Sequence, residues 1–274
     1  MNADVGPIFL VGCGKMGDAL LRGWLDRGIA APSMTVIEPT EQNAAVARDR
    51  GVAALATLDG LPEDYAPRVV VFAVKPQVMP DVVPAYRHFV GPQTIFLSIA
   101  AGKAVAFFET HLGKEVAMVR AMPNTPAAIG RGVTVLYANA QVGAGERALA
   151  QELMAAAGDV AWIDDEALMD AVTAVSGSGP AYVFYMIECL AAAGVTAGLP
   201  ADLAAQLARA TVEGAAALSH QDGSSPETLR KNVTSPGGTT AAALDVLMAP
   251  ANGLQDVMTR AVEAAADRSR ALAD

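Results

Sequence analysis

Ile8-Phe9-Leu10-Val11-Gly12-Cys13-Gly14-Lys15-Met16-Gly17 decides the fold of this 274-residue chain. Four apolar residues in a row read as a strand buried on both faces. Three glycines at G-x-G-x-x-G spacing follow, and Asp18 to Arg27 then carries a helical pattern closed by Gly28. Strand, glycine turn and helix in that order form the context of a dinucleotide-binding unit. Gly12 permits the tight turn, Gly14 lets backbone approach a pyrophosphate, and Gly17 lets the helix pack close. Cys13, Lys15 and Met16 complete the candidate cofactor loop.

The strands downstream extend the same pattern. Met34-Thr35-Val36-Ile37 reads as a second strand ending at Glu38. An acidic residue there can accept both ribose hydroxyls of NAD and repels the 2′-phosphate of NADP, so Glu38 tilts the choice to NADH. A solvated strand-end carboxylate is the plainer alternative. No arginine stands beside it, although Arg48 and Arg50 follow on the next helix. Val69 to Val74 is a continuous apolar run, as expected of a central parallel strand, and Thr94 to Ser98 and Glu115 to Arg120 read as further strands. Each stops in a turn of small or polar residues, and in an open α/β sheet those carboxyl ends form one ligand-binding rim. Ala73, Val74, Lys75, Pro76, Ile99, Ala100, Ala101 and Asn124 are the candidate cofactor-binding residues on it. Val133 to Tyr137 and Val160 to Ile163 read as strands around a helix from Ala144 to Ala157.

After Asp164-Asp165 the pattern turns helical. The expected division is a Rossmann-type NAD(P)-binding domain over 1–163 and an all-helical dimerisation and substrate domain over 164–274. Glu166 to Val175 reads as helix, and Ser176-Gly177-Ser178-Gly179 as a turn with Pro180 opening the next helix. Between Pro180 and Ala201 the only charge is Glu188. Gly194, Thr196, Gly198 and Pro200 interrupt the second half, so a short helix to about Ala193, buried on all sides, is expected rather than a membrane span. Phe184, Met186, Ile187 and Leu190 spread around it, and a partner subunit is the expected cover, giving a homodimer or a larger homo-oligomer. Ala201 to Ser219 is a helix rich in small residues, Gln221 to Pro226 a loop, and helices run on from Thr239.

The formal net charge of −10 argues against nucleic acid and anionic membranes as partners. Cys13 and Cys189 lie far apart, which suits a reducing, cytoplasmic setting and excludes a cysteine-based metal site. The chain opens without a basic n-region, so no signal peptide is expected.

A second turn, Val233-Thr234-Ser235-Pro236-Gly237-Gly238-Thr239-Thr240, leads directly into a helical run. Pro236 and two glycines bar regular structure, and backbone amides at a helix start bind a carboxylate or phosphate without a cation. Ser235, Gly237, Gly238, Thr239 and Thr240 are the candidate substrate-binding residues, with Asn232 just before them. Alcohol oxidation calls for a histidine or lysine base. His88, His111 and His220 lie outside every motif turn, and no lysine falls between Asp164 and Arg230. A protonated imine needs only orientation and a hydrogen bond at nitrogen, which threonine supplies. The chemistry thus favours imine reduction on a small carboxylate.

The chain resembles the pyrroline-5-carboxylate reductase family along essentially its whole length. The resemblance rests on the glycine turn, Val74-Lys75-Pro76-Gln77, Ser98-Ile99-Ala100-Ala101-Gly102, Asn124-Thr125-Pro126, Ser176-Gly177-Ser178-Gly179-Pro180-Ala181-Tyr182 and Val233 to Thr240. It implies NAD(P)H-dependent reduction of 1-pyrroline-5-carboxylate to L-proline, with interlocked helical dimers. It also implies that Thr240 hydrogen-bonds the ring nitrogen as the catalytic residue. Ser235 and the Gly238–Thr240 backbone hold the carboxylate, while Asn232, Lys75 and the Ile99–Ala101 turn face the cofactor. Many members are described as preferring NADPH, against the tilt set by Glu38. A β-hydroxyacid dehydrogenase is the enzyme alternative, but its helical lysine is missing where Ser178-Gly179-Pro180-Ala181 follow Gly177. A dinucleotide-sensing scaffold is the non-enzyme alternative, and it has no need of the second turn.

Overall fold

The computed structural model describes residues 5–61 and 65–272. It divides into two compact units: one runs to Gly177 and takes in the segment from Ala265 onward, and the other is Ser178–Ala264.

The first unit is a twisted sheet with helices on both faces. In chain order it contains β1 (Ile8–Val11), α1 (Lys15–Asp26), β2 (Met34–Ile37), α2 (Glu41–Asp49), β3 (Ala53–Leu55), β4 (Val69–Phe72), α3 (Met79–Val82), β5 (Ile95–Ser98), α4 (Val105–Leu112), β6 (Ala117–Met122), β7 (Gly132–Ala138), α5 (Ala144–Met154), β8 (Gly158–Trp162) and α6 (Met169–Val172). Strand order is β3-β2-β1-β4-β5-β6-β7-β8. All neighbours are parallel except β6 and β7.

Alternation along β1 sorts the core. Ile8 and Leu10 face one layer with Leu20, Leu21 and Trp24 of α1 and Leu153 of α5. Phe9 and Val11 face the other with Phe72, Phe96, Phe108 and Tyr86. The buried Trp24 indole donates to the Leu153 carbonyl at 2.9 Å, so its one polar atom is satisfied. A Cβ on Gly23 would lie 2.6 Å from the Ala156 carbonyl oxygen, which explains a glycine inside α1.

The expected strands and the Ala144 helix are present with shifted ends, the last turn of that helix being 3-10 over Ala155–Ala157. β3, α3 and α4 are elements that carry no expectation from the sequence. The stretch expected as one helix from Glu166 is a 3-10 turn, the single turn α6 and a π-helical turn over Thr173–Gly177.

The second unit contains α7 (Gly179–Thr196), α8 (Ala201–Asp222), α9 (Pro226–Asn232), α10 (Thr239–Leu247) and the start of α11 (Leu254–Ala271). α7 does not stop at Ala193. Gly194 stays helical because α8 packs against it, where an added Cβ would meet the Ala204 Cβ at 3.2 Å. The helix ends instead before Gly198, whose φ is +100°. Nor is α7 buried on all sides within one chain: Phe184 is 59% and Tyr185 65% exposed. By length and composition alone, Glu166–Thr196 is apolar enough to cross a membrane. An apolar helix open to water within its own subunit is the kind of surface that subunit association covers in oligomeric proteins.

Candidate active site

The glycine turn joins β1 to α1 at the carboxyl edge of the sheet. Gly12 has φ +92° and donates its amide to the Ile37 carbonyl at 2.9 Å. A Cβ there would lie 2.8 Å from Val74 Cγ1, and one on Gly17 2.4 Å from the Gly12 oxygen. Gly17 therefore permits close approach of helix to turn. Above Gly14 there is open space within 4 Å. Gly14 is also the N-cap of α1 and places no side-chain oxygen on the first amides. Bare amides, a helix dipole and room above the turn fit a dinucleotide's pyrophosphate. Lys15 is exposed on the same turn and Met16 half-buried.

Glu38 is not a solvated strand end, since it is only 7% exposed. One carboxylate oxygen accepts from the Cys13 amide at 2.9 Å and more weakly from Asn43 Nδ2 at 3.4 Å. The other accepts from the Thr40 amide at 2.9 Å. Burial pushes the carboxyl pKa up, but the Cys13, Thr40 and Asn43 hydrogen bonds outweigh it and hold the group below its ordinary value. Glu38 is thus an anion pinned beside the glycine turn. Of the nearby arginines, Arg50 is held by Asp18 at 2.8 Å, while Arg48 makes only a surface pair with Glu41. Cys13 is chemically quiet, because burial, with Asp18 and Glu38 adding and Arg50 opposing, pushes its thiol up to about 11.

The other candidates of this unit fall on the same edge. Ladder bonds continue past the strands, from the Ala73 amide to the Val11 carbonyl at 2.8 Å and from the Ile99 amide to the Phe72 carbonyl at 3.1 Å. Ala73, Val74, Lys75 and Pro76 therefore follow β4 where Ile99, Ala100 and Ala101 follow β5. Lys75 precedes a 3-10 turn opened by Pro76, and the Ala100 amide is held by Ser98 Oγ at 3.2 Å. Asn124 follows β6. Its side chain accepts from the Val133 amide at 3.0 Å and donates to Ser176 Oγ at 3.4 Å, so it braces the rim. Two further polar groups at this edge, Arg120 and Glu166, carried no local sequence signal, because they meet across 46 positions.

In the second unit, Asn232 ends α9 and the Ser235–Gly238 turn opens α10. Gly237 has φ +68°, and a Cβ on Gly238 would lie 2.5 Å from Ser235 Oγ. Only glycine lets the Ser235 side chain lie over the turn. Gly238 is the N-cap of α10 and caps no amide with a side chain. Thr239 and Thr240 are the first two residues of α10. Among the described residues, neither the Ser235 nor the Thr240 hydroxyl has a hydrogen-bond partner. The turn thus offers uncapped amides and two free hydroxyls, the chemistry of a small carboxylate that bears a polar neighbour.

A Rossmann sheet with a bare glycine turn, a pinned acidic residue after β2 and a helical region define a nicotinamide-dinucleotide-dependent oxidoreductase. Comparison with known proteins narrows the class. Residues 166–272 match the family model described as pyrroline-5-carboxylate reductase dimerisation, and residues 7–102 match one described as NADP oxidoreductase, coenzyme F420-dependent. The chain is 40% identical over 269 residues to a pyrroline-5-carboxylate reductase of Pseudomonas aeruginosa, covering 97% of each chain. It is 37% identical over 271 residues to that of Pisum sativum, covering 98% of this chain and 97% of the relative. The solved pyrroline-5-carboxylate reductase of Coxiella burnetii superposes with a TM-score of 0.91 at 32% identity, covering 98% of this chain and 99% of the other. The Plasmodium falciparum pyrroline carboxylate reductase, solved with NADP bound, superposes with a TM-score of 0.81 at 29% identity over 98% of both chains. The chain belongs to the pyrroline-5-carboxylate reductase family, and it is an NAD(P)-dependent oxidoreductase.

Proposed function

We propose that the chain reduces 1-pyrroline-5-carboxylate to L-proline with NAD(P)H, the final step of proline biosynthesis. One observation carries the substrate: the Ser235–Thr240 turn, whose uncapped amides and free hydroxyls suit a carboxylate next to a ring nitrogen. Family membership over nearly the whole chain supports the same reading and disfavours a β-hydroxyacid dehydrogenase.

In this reading Ser235, Gly237, Gly238 and Thr239 hold the carboxylate through backbone amides and the Ser235 hydroxyl. Thr240 hydrogen-bonds the ring nitrogen. Gly12, Cys13, Gly14, Lys15, Met16 and Gly17 cradle the pyrophosphate, and Glu38 receives the ribose. Ala73, Val74, Lys75, Pro76, Ile99, Ala100, Ala101, Asn124 and Asn232 complete the cofactor site. When bound, the dihydronicotinamide supplies a hydride. That hydride would go to the carbon of a protonated C=N bond, whose π pair would pass to the nitrogen that Thr240 hydrogen-bonds. What this chain contributes is orientation and a hydrogen bond at nitrogen as charge shifts there. Glu38 tilts cofactor choice to NADH.

The same proposal assigns cofactor binding to 1–163 and substrate and dimer formation to 164–274. The subunits pair at least as homodimers, and the setting is the cytoplasm, where unpaired Cys13 and Cys189 are in keeping. Absorbance of NADH and of NADPH, followed with purified protein and pyrroline-5-carboxylate, tests the reading. Proline-forming oxidation of either is expected, and turnover of 3-hydroxyisobutyrate with none of the imine would overturn it.

A further inference from the structure

The rim turn Ile99–Gly102 is held from outside its own strand. It is followed by Lys103 and Ala104 and then by α4, whose N-cap, Ala104, has no side chain to offer the helix. The missing cap comes from far along the chain. One oxygen of Glu166 accepts from the Val105 amide at 2.8 Å and from Arg120 Nη1 at 2.7 Å. Arg120 stands on β6 with its side chain 10% exposed, so this is a shielded, charge-assisted contact. Glu166 thus ties the start of α4 to β6, and the two cannot part without breaking one of these bonds. The far end of the turn is fixed by the β5 ladder, where the Ile99 amide meets the Phe72 carbonyl at 3.1 Å.

The segment that bears Glu166 is itself clipped to this unit at two more points. Ser269 Oγ of α11 donates to Asp170 at 2.6 Å. At the π-helical turn, Ser176 Oγ accepts from Asn124 Nδ2 at 3.4 Å, and a Cβ on Gly177 would lie 2.4 Å from Met122 Cε. π-turns recur at functional sites. A shielded ion pair is weak evidence of added stability, since apolar replacements often serve as well. What this one adds to the Ile99 ladder bond and the Ser98–Ala100 contact is a hold on the other side of the turn, at Val105.

From this geometry we infer that Glu166 is a positioning residue for hydride transfer: through the Val105 amide and Arg120 it fixes the Ile99–Gly102 turn against the bound nicotinamide. The inference rests on the proposed reduction of pyrroline-5-carboxylate and on that turn facing the cofactor. Hydride transfer is steeply distance-dependent, and a displacement of about 1 Å can cost about a hundredfold in rate.

The test compares wild type, Glu166→Ala and Glu166→Gln in the full-length protein. Steady-state kinetics are run with pyrroline-5-carboxylate and with cofactor carrying deuterium at the transferred C4 position. Glu166→Ala is expected to lower kcat by about tenfold or more, to raise KM for the imine much less, and to raise the isotope effect on kcat as hydride transfer becomes limiting. Glu166→Gln keeps one acceptor and is expected to lose less in the same direction. If Glu166→Ala does not fold, the Gln variant decides by the same readouts. A folded variant with wild-type kcat and isotope effect, only less heat-stable, overturns the inference. Absence of imine reduction in wild type would instead overturn the functional reading beneath it.

Discussion

Glu38→Gln separates charge from architecture at the cofactor rim. The carboxylate joins the Cys13 and Thr40 amides, each at 2.9 Å. The amide side chain keeps one oxygen for one of them, removes the negative charge and leaves the other without an acceptor. Two unit charges about 5 Å apart in an effective dielectric of about 20 repel by about 3 kcal/mol. Water at the open side of the rim lowers this, and at about 1.4 kcal/mol per decade the remainder is about 10- to 100-fold in relative kcat/KM. Wild type should therefore favour NADH. The variant should raise the ratio of NADPH to NADH efficiency by that factor, chiefly through a lower KM for NADPH. Arg50 stays engaged by Asp18 at 2.8 Å in the variant. Leaving one amide without its acceptor should also cost about 1 kcal/mol of stability, read from thermal unfolding. The assay is initial-rate kinetics on both cofactors at saturating pyrroline-5-carboxylate. A wild type that already prefers NADPH, or a ratio unmoved in the variant, would refute the placement of the ribose at Glu38.

Thr240→Ala should lower kcat and kcat/KM together by about 10² and leave NADH affinity unchanged, while Thr240→Ser keeps most of the rate; an unaltered kcat with a lowered Tm would remove Thr240 from the chemistry. Sedimentation at micromolar concentration should find a dimer or larger, since Phe184 and Tyr185 of α7 are 59% and 65% exposed in one chain; a stable, active monomer would contradict this. Glu38, with a folded pKa below its unfolded value, adds stability that is complete above the unfolded value and lost as pH falls through the folded one. Wild type should therefore lose more stability than Glu38→Gln on acidification below about 4.5, and parallel stability–pH curves would count against the network. Cys13, pushed up to about 11 by burial, should resist alkylation of the native protein at neutral pH, and rapid labelling seen by mass spectrometry would show the turn to be open.

Legibility followed the range of the interaction. β1, its glycine turn and α1 could be read because strand, φ-permissive turn and helix start are all local events. β3 escaped because Ala53-Ala54-Leu55 is a short, half-exposed edge strand without a β-branched residue, formed by pairing with β2. α9 had a signal that went unread: Ser225 accepts from the Thr228 amide at 3.2 Å, and Pro226 stands at its first position. Gly194 and Thr196 misled in the other direction. Glycine breaks an isolated helix, but here it lets Ala204 of α8 approach, so tertiary packing overrides local propensity. The Glu166–Arg120–Val105 contact was out of reach, because no spacing rule joins residues 46 and 61 positions apart.

The two turns that could be read share one physical device, and the charge of the chain explains its use. With a net charge of −10, this protein must still attract a dinucleotide and, in the proposed reaction, a carboxylate. Cationic side chains would do so, but their reach is screened and their long stems are costly to fix. Instead α1 and α10 each begin after a glycine, Gly14 and Gly238, with no side-chain oxygen on the first amides. α9 shows the contrast, because Ser225 occupies an amide at its start. An uncapped helix start presents fixed partial charges that need no reorganisation when the anion arrives. Glycine at the cap is what keeps those amides available: space above Gly14 is open, and at Gly238 a Cβ would crowd the Ser235 hydroxyl that lies over the turn.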